Sequence, residues 1–576
     1  MLVAEAVGAA LARLGVEQVF GVVGSGNFHV TNALVAGGAR YVAARHECGA
    51  ATMADAYART SRRVAAVSLH QGCGLTNSLT GVTEAAKSRT PLLVLAADTA
   101  AGAVRSNFRI DQDALARSVG AVPERIHTAA SAVADAARAL RTAVDQRRTV
   151  VLNLPLDVQA MECPAEAAGI PPAPALRPPG PAPQAVAELA AELARARRPV
   201  FVAGRGARVA AARESLERLA DRVGALIATS AVAKGMFNGN PWYLDVSGGF
   251  GTPLSAELIR DADLVVGWGC ALNMWTMRHG TLIGPQARVA QVDLDPDAIG
   301  AHRSVDVGVL GDVDQTARAV AAELASTAEL AGTAELAGTA ELAGNPAGGP
   351  GGAAGDGRGY RSAALALRIG RERRWRDVPF ADESDGTRID PRTLTIALDD
   401  LLPAERVVAI DSGNFMGYPS MYLSVPDDDG FCFTQAFQSI GLGLATAIGA
   451  ALARPDRLPV AALGDGGAMM GIAELDTVIR LGLPMVVLVY DDEAYGAEVH
   501  HFGPDGHPLD TVRFPPTDIA AVGRGFGCTA VTVRSPGDLD AVAAWLRGPR
   551  ETPLLIDAKV VSDRGAWWLE EAFRGH

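Results

Sequence analysis

The sequence predicts an α/β protein made of three doubly wound parallel-sheet domains. Short β-branched runs alternate with Ala-rich helical stretches along its length, the pattern of stacked βα units. A chain of 576 residues is too long to close around one hydrophobic core. Two stretches of biased composition cut it into three blocks.

The first block, 1–165, opens on an amphipathic helical pattern carrying Glu5 and Arg13, so it reads as a helix and not a signal peptide. Buried strands are expected at 18–23, 41–44, 64–69, 92–96 and 149–154. The proline-rich stretch 164–183 reads as an extended linker. The second block, 184–325, has expected strands at 199–203, 264–268 and 288–294. Thr-Ala-Glu-Leu-Ala-Gly then occurs three times in tandem at 327–344 and gives way to Gly- and Ala-rich sequence. A six-residue period is too short for a solenoid, so 326–385 reads as a low-complexity linker with a disordered surface insertion at 327–359. The third block, 386–576, has expected strands at 406–410, 460–463, 485–490 and 554–558. Residues 431–453 carry no charge and are long enough to cross a bilayer, but their glutamines, Ser439 and glycines favour a buried helix.

A net charge of −13 argues against nucleic acid or an anionic membrane as partner. Only Lys87, Lys234 and Lys559 among the 52 basic residues are lysines. The six cysteines are scattered, with no CxxC pair and no metal-ligand spacing, which fits a reduced cytoplasmic setting.

The most specific signal lies in the third block. A strand ends at Gly464 and is followed by Asp465-Gly466-Gly467 and a helix expected to reach about residue 481. The next strand runs into Asp491-Asp492-Glu493-Ala494-Tyr495-Gly496. Adjacent parallel strands would bring Asp465 and Asp492 together at their carboxyl ends, where open sheets bind ligands. Gly466 and Gly467 would let backbone N–H groups approach an anion closely. Two carboxylates and a carbonyl, completed by diphosphate oxygens, would make a hard site suited to Mg²⁺. Taken alone, the Gly-Asp-Gly triplet is equally a loop glycine pair beside a helix-capping aspartate.

Gly-Asp-Gly followed 26 residues later by an acidic or amide pair, then Tyr-Gly, resembles the cofactor motif of the thiamine-diphosphate enzymes. That family includes acetolactate synthase, benzoylformate and pyruvate decarboxylases, and benzaldehyde lyase. The resemblance implies pyrimidine-binding, central Rossmann-like and diphosphate-binding domains, in that order. It implies that Asp465, the Asp492 side chain and the Ala494 carbonyl hold the metal, with Gly464, Gly466, Gly467, Tyr495 and Gly496 in the diphosphate motif. The family usually has Asn-Asn where this chain has Asp491-Asp492. Residues 435–450 resemble the stretch that bends the cofactor, with Ile440 as the apolar wedge and the Gln438 carbonyl facing the 4′-amino group.

In the first block, Arg45-His46-Glu47 precedes an Ala-rich helix. An acid is favoured at any helix N-terminus. The string HExxAxxxAxxYAR nevertheless resembles the family's pyrimidine-domain motif, which implies that Glu47 is the catalytic glutamate paired with the pyrimidine ring. Residues 20–27 resemble the family's Phe-Gly-x-Pro-Gly loop, with Val23 for proline and Ser25 where decarboxylases carry a catalytic Ser or Asp. Residues 68–77 resemble the GxGxxN turn, in which Asn77 supports the cofactor pocket. His70 matches an active-site histidine of benzoylformate decarboxylase. Glu498, His500 and His501, just after the metal motif, are expected on the substrate side or else in an exposed polar loop. Gln112 is a weaker candidate.

Residues 203–206, 263–269 and 291–296 resemble the family's central domain, which holds FAD in some members, a CoA or ADP group in others and nothing in many. FAD is therefore left open. The expected activity is thiamine-diphosphate-dependent decarboxylation of a 2-oxo acid, the acyl anion being protonated or ligated to a second carbonyl, as in acetolactate synthase. A simple decarboxylase or acyloin lyase is the alternative within the chemistry. A regulatory subunit that binds cofactor without turning over is the alternative outside it, and Glu47 weighs against that. A nicotinamide dehydrogenase would leave the Gly-Asp-Gly motif, the aspartate pair and Glu47 unexplained. The expected partners are small 2-oxo acids and carbonyl compounds. The expected assembly is a homodimer or homotetramer, with each active site shared between the first domain of one subunit and the third of another.

Overall fold

The computed structural model describes residues 1–340 and 359–572. Each of the three blocks forms a six-stranded, all-parallel sheet flanked by helices. The first holds β1 (Gln18–Gly21), β2 (Arg40–Ala43), β3 (Ala65–Leu69), β4 (Leu92–Asp98), β5 (Val122–Arg125) and β6 (Thr149–Pro155). Their order is β2-β1-β3-β4-β6-β5. The second holds β7 (Pro199–Ala203), β8 (Leu226–Thr229), β9 (Tyr243–Val246), β10 (Leu264–Trp268), β11 (Arg288–Asp293) and β12 (Val307–Leu310), in the order β12-β11-β10-β7-β8-β9. The third holds β13 (Arg406–Ile410), β14 (Phe431–Phe433), β15 (Leu458–Gly464), β16 (Val486–Asp491), β17 (Thr529–Val533) and β18 (Leu554–Lys559), in the order β14-β13-β15-β16-β18-β17. The first and third sheets are thus wound identically. The second follows the dinucleotide-binding order, in which the winding reverses between its first and fourth strands.

The chain forms two compact units. Met1–Leu176, Ala381–Val425 and Asp429–Leu569 make one, which contains the first and third sheets. In it the helix after β2, Glu47–Ser61, lies against the helix after β14, Gly443–Ala453. Both surfaces are lined with small residues, so the backbones meet. A Cβ at Gly449 would come within 2.1 Å of the Met53 carbonyl oxygen. Two buried glutamates fasten the pair reciprocally. Glu84, on Cys73–Lys87, accepts the Ala436 and Phe437 N–H groups at 3.0 and 2.7 Å. Glu474 accepts the Arg45 and His46 N–H groups at 3.0 and 3.1 Å.

The other unit is built on Arg177–Phe380 with Pro426–Asp428. At its winding reversal the two strand-end loops close on each other. Gly204 N donates to Trp268 O and Gly206 N to Gly269 O, both at 2.9 Å. A Cβ at Gly206 would come within 2.7 Å of Gly269 Cα, so the glycines of this loop serve loop–loop packing.

Three expectations are corrected. Helix Val313–Ala340 carries the repeat as far as Ala340, so the insertion is not structureless from residue 327; residues 341–358 lie outside the described residues. The end of the expected 326–385 linker belongs to a core, since Ile369 is buried with Tyr360 and Leu365 against it. The uncharged 431–453 stretch is helical only over Gly443–Ala453, and no described helix is long and apolar enough to cross a membrane. All six cysteines are free.

Candidate active site

β15 and β16 are hydrogen-bonded neighbours with Gly464 opposite Tyr490, and this register delivers Asp465 and Asp492 together at the carboxyl end of the sheet. The two carboxyls are close neighbours, so the Asp492 charge acts directly on Asp465. Burial, reinforced by neighbouring aspartates, holds both carboxyls above the usual carboxylate range. A divalent cation between them would remove that penalty, so the donor set fits a hard metal ion. Among the described residues no group of three His, Cys, Asp or Glu side chains is arranged to hold a metal by itself. Two carboxylates and the Ala494 carbonyl would leave the remaining ligand positions to phosphate oxygens and water.

The turn beyond β16 is shaped for this convergence. Glu493 adopts φ 57°, a left-handed conformation that is strained for a side chain with a Cβ. Arg388 holds its carboxylate at 2.7 Å, and the flanking backbone pairs with 512–514, Phe514 N donating to Glu493 O and Tyr495 N to Val512 O. Gly496 is required by contact, because a Cβ there would lie 2.2 Å from an Asp492 carboxylate oxygen. Gly466 faces the Tyr495 ring in the same way, at 2.6 Å. An open cleft of about 460 Å³ lies in front, lined by Asp465, Gly466, Met469, Met470, Glu493 and Tyr495 among others. The helix that starts at Asp465 ends at Met470 and resumes at Leu475–Leu481, so the expected continuous helix is broken at Gly471.

Gln438 and Ile440 sit on the loop between β14 and Gly443–Ala453. Gln438 adopts φ 63°, a second strained position within this part of the chain. Asp411, at the end of β13, braces the loop by accepting the Gly441 and Leu442 N–H groups at 3.0 and 3.3 Å. Burial raises its carboxyl to about 6, and the same hydrogen bonds oppose the rise. Sequence reading missed Asp411, because Ser412 separates it from the next glycine and it lacks the Asp-Gly pair that marked Asp465.

The first-domain candidates gather at the carboxyl ends of β1, β2 and β3. Glu47 opens its helix half-buried and accepts Asn77 Nδ2 at 3.1 Å. His70 Nε2 lies 3.4 Å from Ser25 Oγ, and its Nδ1 lies 3.1 Å from Gln71 O. Phe108 packs edge-on against the His70 ring, with centroids 5.1 Å apart. Gln112 is buried and spent: its Oε1 accepts Gly72 N and its Nε2 donates to Ala97 O and Asn153 Oδ1. It braces the loop that follows β3.

Glu498, His500 and His501 stand on the short helix Gly496–Phe502, and none of them lines the cleft. Glu498 is exposed. His500 lies against Gly565, and burial holds its imidazole below the usual histidine range. The cleft before Asp465 is lined wholly from the third domain, so Glu47, His70 and Ser25 form a separate group within this chain.

Comparison with known proteins follows the same three-part division. Residues 1–118 match the family model described as thiamine pyrophosphate enzyme, N-terminal TPP binding domain. Residues 186–320 match the central domain of that enzyme group, and 411–558 its C-terminal TPP binding domain. The acetolactate synthase large subunit of Parasynechococcus marenigrum is 27% identical over 568 residues, covering 96% of this chain and 86% of that protein. The sulfoacetaldehyde acetyltransferase of Alcaligenes xylosoxydans xylosoxydans is 27% identical over 497 residues, with 84% and 80% covered. A probable 2-ketoarginine decarboxylase of Pseudomonas aeruginosa is 28% identical over 563 residues, with 93% and 90% covered.

Proposed function

Since the chain belongs to the thiamine pyrophosphate enzyme family, we propose that it decarboxylates a 2-oxo acid and passes the acyl unit to a proton or a second carbonyl. The observation that carries this reading is the meeting of Asp465 and Asp492 at the ends of β15 and β16. Asp465, Asp492 and the Ala494 carbonyl would hold Mg²⁺ against the diphosphate, with Gly464, Gly466 and Gly467 letting backbone come close. Gln438 and Ile440 would set the bend of the cofactor. Bound thiamine diphosphate supplies the carbon nucleophile and the electron sink that such chemistry needs.

The residues of this chain would do the rest. Glu47 places its carboxyl for a proton at the pyrimidine ring, and the Asn77 amide fixes one of its oxygens. In the tautomer with hydrogen on Nδ1, His70 donates to Gln71 O and turns a bare Nε2 toward Ser25. That pair could hold or deliver a proton where the acyl carbon is released. It favours protonation to an aldehyde as the second reading beside ligation. FAD in the central domain is not part of the proposal.

Two copies would be required, the first domain of one meeting the third domain of the other in a homodimer or a homotetramer. The test is product analysis with pyruvate and related 2-oxo acids, with and without an aldehyde acceptor, in the presence of thiamine diphosphate and Mg²⁺. Cofactor-dependent CO₂ release is expected with at least one acid. A hydroxyketone or acetohydroxy acid would establish ligation, and an aldehyde alone the simple decarboxylase. No cofactor-dependent product from any acid would overturn the proposal.

A further inference from the structure

Three carboxylates, not two, reach the ends of β15 and β16: Asp465, Asp491 and Asp492. Crowding three anions where a diphosphate must also dock is unfavourable unless one of them is neutralised. Lys559, one of only three lysines in the chain, is buried beside them at 8% exposure. It stands opposite Asp491 in the register of β16 and β18, so the two side chains share a face of the sheet. Its ammonium pairs with Asp491 Oδ2, donates to Thr517 O at 2.9 Å and lies 3.1 Å from Asp557 Oδ1. The other oxygen of Asp491 accepts Glu493 N at 3.1 Å, so both oxygens of that carboxylate are engaged. Asp492 is one residue further, where an extended chain turns to the opposite face, and it lies close enough to Asp465 for the two charges to interact.

We infer that Lys559 is a positioning residue that sorts these carboxylates, neutralising Asp491 at the wall of the cleft and leaving Asp465 and Asp492 for the cation. The site then offers a metal two negative charges, and the third carboxylate meets the diphosphate already paired with Lys559. This inference rests on the thiamine-diphosphate and Mg²⁺ reading of the site. It also makes sense of an acidic pair where the family usually carries two amides, since the extra charge has its own counter-ion within the sheet.

A double-mutant cycle with two binding readouts tests it. Lys559→Met frees the Asp491 charge, Asp491→Asn removes it, and the double variant restores a neutral pair. With Mn²⁺ alone, Lys559→Met is expected to bind the ion at least about tenfold tighter, because a third carboxylate joins the set. With thiamine diphosphate at saturating Mg²⁺, followed by tryptophan fluorescence, the same variant is expected to bind at least about tenfold weaker. The double variant should return to within about threefold of the parent in both titrations. A merely structural lysine would lower stability and move neither constant.

The inference falls if Lys559→Met leaves the Mn²⁺ affinity within about threefold of the parent, or if the double variant is no closer to the parent than Lys559→Met. Should Lys559→Met not fold, Lys559→Arg and the double variant decide the matter. Both must bind cofactor within about threefold of the parent, and a tenfold loss in either overturns it. If the parent bound Mn²⁺ but no thiamine diphosphate, the functional reading would fail while the Mn²⁺ arm still judged Lys559.

Discussion

Replacing Arg59 with methionine should destabilise the unit that holds the first and third domains by about 3–5 kcal/mol, the range for stranding a buried ion pair. Arg59 sits between two carboxylates with no exposure, Asp55 at 3.0 Å and Glu84 at 3.4 Å, and also donates to the Phe433 carbonyl. Methionine fills similar space but leaves both carboxylates buried without a cation. Burial already raises the Asp55 carboxyl, and the Arg59 charge opposes that rise. Removing Arg59 pushes it further up. An acid whose folded value is raised supports the fold below its unfolded value, about pH 3.9, and loses that support as pH climbs through the folded value. The gap between parent and variant should therefore be wide at pH 8 and narrow toward about pH 5. Guanidinium unfolding of the apoprotein, followed by circular dichroism at both pH values, measures it. A loss under about 1 kcal/mol at pH 8, or a gap that widens in acid, would refute the reasoning.

Asp465→Ala should abolish the Mg²⁺-dependent thermal shift given by thiamine diphosphate, which for a ligand at a hundred times its Kd is worth about 2.7 kcal/mol. An unchanged shift would place the metal elsewhere. Glu47→Ala should keep that shift and lose most of the turnover, and full activity in the variant would sink the assignment of Glu47. Mixing Glu47→Ala with Asp465→Ala chains tests the shared site: after subunit exchange each mixed dimer has one intact site, so about half of its activity should return. Sites built within single chains would regain none.

The parts of the fold that were legible in the sequence are those that bury a strand on both faces. β3, β4, β6, β7, β10, β15 and β16 read as near-continuous apolar runs, interrupted only by buried polar residues such as Ser68 and Asn153, because helices cover both sides of a parallel sheet. The strands that escaped notice are mostly edges. β5 is Val-Pro-Glu-Arg, half-buried throughout; β12 alternates buried and exposed; β14 is three residues long. Lacking a neighbour on one side, they need no continuous apolar run. The site shows the same division. Asp465 and Asp492 could be paired from sequence because local spacing fixes each at a strand end. Asp411, Glu84, Glu474 and Lys559 could not, since the backbone groups they hold lie 30 to 429 residues away or across a register that only the sheet defines. Lys559 alone left a trace, its rarity in a lysine-poor chain.

The identical winding of the first and third sheets bears on how the protein would respond to dilution. Glu47–Ser61 and Gly443–Ala453, the equivalent helices of two like domains, are joined within one chain, so their pairing is first order and independent of protein concentration. The proposed pairing between chains is second order. Lowering the concentration should therefore uncouple the two kinds of contact: turnover per chain would fall as copies part, while helical circular dichroism and the Glu84 and Glu474 clasps persist. The tether would preserve the fold at concentrations too low to assemble the site, leaving an inactive but foldable reserve that cofactor and a second copy could draw back into use.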